Sequence, residues 1–577
     1  MTELFSRYRE IWCLDFEFGE TSEQRPAPRC LVATEVKTGR HIRMWLDGAG
    51  ALPPPFDMGP STLVVSYVAQ AELRCLMAVG WPLPANILDL FAEFRCITNG
   101  LGNGGGLVDA LAYFGESHVD LRIKNQMRDL ALRHGAYSQK EVEGLLDYCA
   151  TDVDALVNLM PHMIGGGEEL DRALVRGRAV RAVAVTEDFG IPVNGRLLDR
   201  IRRQREHARR ALANAAEQTL GLYDGTTFKT DRLETYVTQR RILWPRHPTG
   251  TLDLKRETFG QMADIYPELS PVHAIRCTMS LLSDFSLVAT PSNRMRPSLW
   301  PFSAKTGRSQ PRGGTHPFSA PKWLRVIIAP ASGFVLIYVD WSQQEFGIGA
   351  ALSGDEAMMR AYSASDPYIT FGILAGLLPS WATKETHPRE RARLKACALG
   401  ILYGKTAFSL GRDLAIPVAE AEELIHAHRR AFSTFWRWSD SIVDSAMLWR
   451  DTHTGLGWNL LVGVDPNPRS LMNFPLQSTG AEMMRLALTF AVESGVRVCT
   501  TVHDAFLVEA VAGQEEAAAA AMTTAMAKAS RVVLGGFELR AECQFVHYPN
   551  SMLDPEHRRM WDTVRGAIDA NEEEDMR

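Results

Sequence analysis

The chain has 577 residues, more than one hydrophobic core can organise, so roughly three or four domains are expected. Its formal net charge of -6 argues against polyanion binding by bulk charge and leaves any nucleic-acid contact to local clusters of Lys and Arg. Nine cysteines without a CxxC pair, and no run of about 18 uncharged apolar residues, argue against a zinc site, a disulfide framework and a membrane span, so a cytoplasmic protein with reduced thiols and no membrane partner is expected.

The first informative stretch is IWCLDFEFGE, an apolar strand carrying Asp15 and Glu17, which are two residues apart and therefore point to one side. NGLGNGGG, from Asn99 to Gly106, lacks the GK[ST] of a phosphate-binding loop and reads as a mobile loop. In YCATDVDAL, Tyr148 and Asp152 are four apart and share a helix face. Gly165, Gly166 and Gly167 then read as a flexible joint. From Asn194 to about Leu282 the pattern is helical and basic, and Arg200, Arg202, Arg203, Arg205, Arg209 and Arg210 crowd one helical segment. Such a cluster is either a solvated face or a surface for phosphates.

The stretch VLIYVDWSQQEF carries the most. Val335 to Val339 form the short apolar run of a buried strand, so Asp340 emerges where that strand leaves the core, and Glu345 follows five residues later. RARLKACALGILYGKTAFSL comes next, with Arg391, Lys395, Leu399 and Tyr403 spaced four apart along one helix face. Two cations there suit a triphosphate, and an apolar group with a phenol suits a sugar and base. Gly400 to Thr406 imitates a P-loop, but three residues separate its glycines where four are required, and the segment reads as mid-helix. Finally, in VCTTVHDAFLVEA two β-rich runs flank His503 and Asp504, which read as a hairpin tip. Two strand-borne acids facing each other across a sheet can hold a metal against a nucleotide.

In this order the three stretches resemble motifs A, B and C of family A DNA polymerases. TGR at Thr306 to Arg308, the run from Arg469 through Asn473 to Gln477, and the late Met560-Trp561 pair extend the resemblance over about Pro291 to Trp561. It implies an α/β multidomain fold, an RNase H-like exonuclease domain followed by a right-hand polymerase. It also implies a template-directed DNA polymerase that takes primer-template DNA and deoxynucleoside triphosphates, in phage replication within an infected bacterial host, with a helicase or processivity factor as a further partner. The implied cofactor is two Mg²⁺ per active site, with Mn²⁺ as a substitute, held by Asp340, Asp504 and the backbone carbonyl of Trp341. Arg391 and Lys395 match residues that bind the triphosphate, and Lys395 is the implied acid for the leaving pyrophosphate. Glu345 and Tyr403 match the gate that excludes a ribose 2′-hydroxyl, and Leu399 stands where relatives carry an aromatic ring. Arg308, Asn473 and Gln477 match donors that test minor-groove acceptors. His503 is implied at the primer end and Arg469 near the template. Ala505 departs from the pattern, since motif C usually continues with Glu.

The amino-terminal motifs resemble DEDD 3′–5′ exonucleases. That implies Asp15, Glu17, Glu72 and Asp152 as metal ligands, with Tyr148 as a catalytic residue that orients a water. Glu72 is a departure, because the family has Asp there. The implied domains are an exonuclease-like domain over 1–165, a linker and start of the polymerase region over 166–193, a thumb over 194–290, palm over 291–352, fingers over 353–450, and palm with an acidic disordered tail over 451–577. No 5′-nuclease domain is expected. The alternatives are a DNA-binding exonuclease with a vestigial polymerase half, against which Asp340, Asp504, Arg391, Lys395 and Tyr403 are present together, and a scaffold, which predicts loss of those acids while the Arg cluster remains.

Overall fold

Ile11, Trp12, Cys13 and Leu14 are consecutive and all buried, which requires a strand covered on both faces. The computed structural model describes residues 4–48, 50, 52–116 and 121–575. In it, β1 (Glu10–Glu20), β2 (Pro26–Glu35), β3 (His41–Trp45), β4 (Thr62–Ser66) and β5 (Asn86–Asp89) form one sheet in the order β3-β2-β1-β4-β5. β1 runs antiparallel to β2, with Asp15 opposite Val32, and parallel to β4. Helices that accompany the sheet include α1 (Ala69–Ala78), α2 (Leu90–Thr98), α3 (Leu121–Leu132), α4 (Gln139–Met163) and α5 (Gly167–Phe189). Ile11 and Cys13 share a core with Leu145, Cys149 and Leu156 of α4, whereas Trp12, Leu14 and Phe16 share one with Leu73 of α1 and Val180 of α5. The period of two along β1 therefore turns Asp15 and Glu17 toward α4.

The chain divides into two compact units, Met1–Gly190 with Leu299–Gln310 and Ile337–Gln544, and Ile191–Ser298 with Pro311–Leu336 and Phe545–Arg577. This differs from the expected linker over 166–193. Gly167 opens α5, and Ile164, Leu170 and Ala173 all lie in the amino-terminal core, so the glycines make a helix corner and not a flexible joint. A Cβ on Gly177 would run into the carbonyl of Ile87, so α5 rides directly on β5. The Gly-rich run is not loose at its start either, because Asn99 is fully buried.

The later strands are β6 (Phe334–Trp341), the hairpin β7 (Asp451–His453) and β8 (Asn459–Leu461), and β9 (Val498–Val502), β10 (Ala505–Val511) and β11 (Ala541–His547). Four of them form a sheet in the order β9-β10-β6-β11. The helices that matter for the site are α6 (Gln344–Ser353), α7 (Pro388–Leu402), α8 (Pro468–Glu493) and α9 (Glu515–Val533); α8 packs against α5, α6 and α9. α7 ends before the mid-helix reading had it. Tyr403 is its C-cap and Gly404, at φ +69°, leaves the helical path.

In the second unit the expected single arginine segment is two helices, Gly195–Arg203 and Arg205–Leu220, broken at Gln204. Arg200 pairs with Asp569, Arg202 with Asp199, and Arg205 and Arg209 with Glu206, so much of the cluster is neutralised locally. Arg203 and Arg210 are exposed. Trp561 is buried and stacks on Trp323. Of the tail expected to be disordered, residues 571–575 continue the helix Arg558–Asp575, and 576–577 lie outside the described residues. Among the described residues no helix is long and apolar enough to cross a membrane.

Within the first unit, Arg176 of α5 makes a two-pronged pair with Glu93 of α2, at 2.7 and 2.5 Å, with both side chains under 10% exposed. Removing one partner strands a buried charge, which costs about 3–5 kcal/mol. Arg176→Met should lower the denaturant midpoint accordingly at an unchanged slope, while Arg178→Met, on an exposed pair with Glu493, should change it by less than about 1 kcal/mol. Equal effects would remove the special status of the buried pair.

Candidate active sites

Asp340 sits at the end of β6, where Val335, Leu336, Ile337 and Val339 are buried beneath it. Val502 pairs with Ala505, so His503 and Asp504 form a two-residue turn between β9 and β10, with His503 at φ +54°. β10 neighbours β6, and Asp504 is near enough to Asp340 to act on it electrostatically, so that turn stands beside the end of β6. Burial, and then the nearby Asp504 and Glu542, push Asp340 up to about 7; burial also raises Asp504. Asp340 Oδ1 is buried without a hydrogen-bond partner. Two crowded carboxylates, one with an orphaned buried oxygen, form a hard-oxygen donor set that fits divalent cations, and the Trp341 carbonyl lies next in the chain. Gln343, at φ +50°, turns the chain from strand to helix and places Glu345 in the first turn of α6.

Three residues predicted for the nucleotide and primer sides meet directly. Tyr403 Oη donates to Glu345, and Gln477 Nε2 donates to Glu345 Oε1 at 2.7 Å and to Tyr403 Oη at 3.3 Å. Burial, followed by the Glu345 hydrogen bond, pushes Tyr403 up to about 12. Gln477 is 7% exposed, and in this arrangement its amide is taken up by Glu345 and Tyr403. On α7, Lys395 is exposed and Leu399 half-buried, whereas Arg391 is held by Asp366 at 2.5 Å and lies over the Tyr368 ring. Asp366 also accepts from the Tyr368 and Ile369 amides, as the cap of the next helix inward. Sequence reading missed it, since a helix cap 25 residues upstream of Arg391 carries no signal of its own.

Arg308 is half-buried and close enough to Asp504 and Tyr403 to act on both electrostatically. Arg469 is exposed, and its stem would lie 3.1 Å from a Cβ at Gly404. Asn473 is half-buried on α8. Glu542 of β11 was also missed; it accepts from Ser342 Oγ at 2.7 Å and adds negative charge near Asp340.

In the amino-terminal domain, carboxylate oxygens of Asp15, Glu17 and Asp152 lie within 4.8 Å of one another. Burial, chiefly, raises all three, and Glu17 reaches about 8. Tyr148 hydrogen-bonds Asp152 on the same helix face. Glu72 is not brought into that group. It is buried, and Oε2 accepts the Phe16 amide at 2.8 Å, because its longer arm folds onto the backbone of β1 beside Asp15. Lys124 of α3 faces the three acids and offsets their charge; nothing in its sequence context marked it. Cys149 Sγ donates to the Asp15 carbonyl at 3.1 Å.

Carboxyls raised in the folded state lose stability as pH climbs from their ordinary range near 4 through 7 to 8, because the unfolded chain releases those protons earlier. Divalent ions compete for the deprotonated form. The melting temperature should therefore rise more with Mg²⁺ or Mn²⁺ at pH 8 than at pH 6, and Asp340→Asn and Asp15→Asn should each remove part of the gain. Calorimetric scans showing the same shift at both pH values would refute this account.

The sequence model of DNA polymerase family A matches residues 292–545. Similar curated proteins include the thermostable DNA polymerase I of Thermus thermophilus, 27% identical over 324 residues, which are 53% of this chain and 37% of that protein. DNA polymerase I of Deinococcus radiodurans is 27% identical over 389 residues, 61% of this chain and 39% of the relative. DNA polymerase I of Aquifex aeolicus is 23% identical over 434 residues, 67% and 73% of the two chains. The chain thus spans well under two thirds of the first two relatives. A solved POL domain of Pol1 from M. smegmatis, in complex with DNA primer-template and dNTP, has the same fold, with TM-score 0.71 and 18% identity over 96% of this chain and 97% of that one. The strand-end acid, the cationic helix and the hairpin acid all fall, in that order, within residues 292–545, the segment that matches DNA polymerase family A.

Proposed function

We propose that the chain is a template-directed DNA polymerase that adds deoxynucleotides to a primer 3′ end, with a 3′–5′ exonuclease in its amino-terminal domain. The observation that carries the reading is the placement of Asp340 at the end of β6 and of Asp504 in the turn that opens the neighbouring β10, beside the Glu345, Tyr403 and Gln477 network. The matched POL domain was solved with DNA primer-template and dNTP, which supports the same partners here.

Asp340, Asp504 and the Trp341 carbonyl would hold two Mg²⁺. When bound, such ions lower the pKa of an attacking hydroxyl and offset charge on the phosphoryl and leaving oxygens. Arg391 and Lys395 bind the triphosphate, the guanidinium across two oxygens and the ammonium as a mobile point charge that can give its proton to the leaving pyrophosphate. Glu345, fixed by Tyr403, fills the space of a 2′-hydroxyl. Arg308, Asn473 and Gln477 donate to minor-groove acceptors common to all correct pairs, and Gln477 exchanges its bond to Glu345 for one to the base pair. Leu399 gives the base an apolar contact, His503 lies against the primer end and Arg469 against the template. In the amino-terminal site, Asp15, Glu17 and Asp152 form the ligand set, and Tyr148, oriented by Asp152, positions the water.

A primer-extension assay with matched and mismatched 3′ ends, with and without nucleotides, tests both activities. Asp340→Asn and Asp504→Asn should each lower extension by at least about a thousandfold, since each removes a ligand from a centre that supplies several kcal/mol of barrier lowering. Near-normal synthesis in either would end the two-metal assignment. Asp15→Asn with Glu17→Gln should abolish shortening of the mismatched primer and leave synthesis within about twofold, the two sites resting on different acids. Glu345→Ala should raise the ribonucleotide-to-deoxynucleotide ratio of kcat/KM by at least about tenfold, because removing the side chain frees the volume a hydroxyl needs. An unchanged ratio would place discrimination elsewhere.

A further inference from the structure

The loop that presents Arg308 is held by its backbone, and part of the grip comes from the amino-terminal domain. Asn99, at the end of α2, is fully buried, and its Nδ2 donates to the Lys305 carbonyl at 2.6 Å and to the Asn459 carbonyl at 2.6 Å. Its own carbonyl accepts from Leu461 N at 2.8 Å. Gly100 follows at φ +98°, and a Cβ there would collide with the Leu461 carbonyl, so the first glycine of the Gly-rich run exists for a close backbone approach. Arg95, one turn earlier on α2, donates to the Ser303 carbonyl at 3.3 Å. From the other side, Trp458 Nε1 donates to Lys305 O at 2.9 Å and Arg485 Nη1 to Gly307 O at 2.6 Å. Gly307, at φ +71°, lies so close to the Trp458 ring that a Cβ would sit 3.0 Å from it.

Alternate carbonyls of the loop, at residues 303, 305 and 307, are thus each bound by a side chain from outside the loop. A surface loop would ordinarily leave such groups to water, so this degree of fixation specifies one conformation. The residue that follows is Arg308, whose charge reaches Asp504 and Tyr403. We propose that Asn99 is a positioning residue for synthesis, through which the amino-terminal domain fixes the 303–308 loop and with it the guanidinium of Arg308. The domain then contributes to polymerisation independently of its three acids. This rests on the reading that Arg308 contacts the primer.

The test uses the full chain and single-turnover extension of a matched primer-template, with Asn99→Ala, Trp458→Phe, Arg308→Ala and the doubles of each of the first two with Arg308→Ala. Loss of two buried hydrogen bonds should lower kcat/KM for primer-template about tenfold in Asn99→Ala, and loss of one about threefold in Trp458→Phe, with KM for the nucleotide unchanged. In the Arg308→Ala background neither should cost anything further, whereas a general loss of structure would move both KM values and add to Arg308→Ala. Trp458→Phe decides the matter if Asn99→Ala does not fold. Full additivity, or unchanged kcat/KM in both single variants, overturns the positioning role. If Arg308→Ala alone leaves extension unaltered, the assignment of Arg308 to the primer falls instead.

Discussion

Like charges are held together where apolar strands end, and most of the molecule's arrangement serves that confinement. At the end of β6 the buried run beneath Asp340 keeps water away from one carboxylate oxygen, while the β9–β10 turn brings a second acid alongside. In the amino-terminal domain a strand covered on both faces delivers Asp15 and Glu17 to a helix that carries Asp152. Neither group is favourable in isolation. Crowded carboxylates in low-dielectric surroundings must take up protons or cations, and the large cores on either side are what force them to stay.

Around those acids the polar side chains satisfy one another. Tyr403 and Gln477 both donate to Glu345, Asp366 holds Arg391, and Glu542 takes the Ser342 hydroxyl. Buried donors and acceptors left unmatched cost more than a matched pair gains, so a site that opens to substrate is stable when its groups are paired beforehand. Exchange of partners then needs little reorganisation. The same logic accounts for Glu72, which in place of joining the three acids bonds the backbone of the strand that carries two of them.

Much of the architecture was legible because it follows from local pattern. The apolar run ending at Asp340, the alternation around Asp15 and Glu17, the four-residue spacing from Arg391, and the hairpin signal at His503 and Asp504 each describe a single element, and the elements lie where those patterns put them. What misled were glycines and charges. Gly165 to Gly167 and Asn99 to Gly106 suggest freedom, yet Gly167 opens a helix and Gly100 sits where the Leu461 carbonyl comes too close for a Cβ. An arginine cluster suggests one charged helix face, but ion pairs with Asp199, Glu206 and Asp569 are set by a helix break and by a partner more than 350 residues away. A glycine's neighbours and a charge's partner are properties of the packed chain.

The amino-acid sequence by itself determined which strands and helices form and which of their faces bear acids, cations and phenols, because those depend on periods of 2 and 3.6 residues. Only the tertiary structure decided which of these groups meet. It placed Lys124 before the amino-terminal acids, kept Glu72 out of their group and gave Arg391 to Asp366. It also set Asn99 against the Arg308 loop, 206 residues distant in sequence at Lys305. Such pairings depend on how separate cores dock, and a contact between remote side chains leaves no periodicity in either segment.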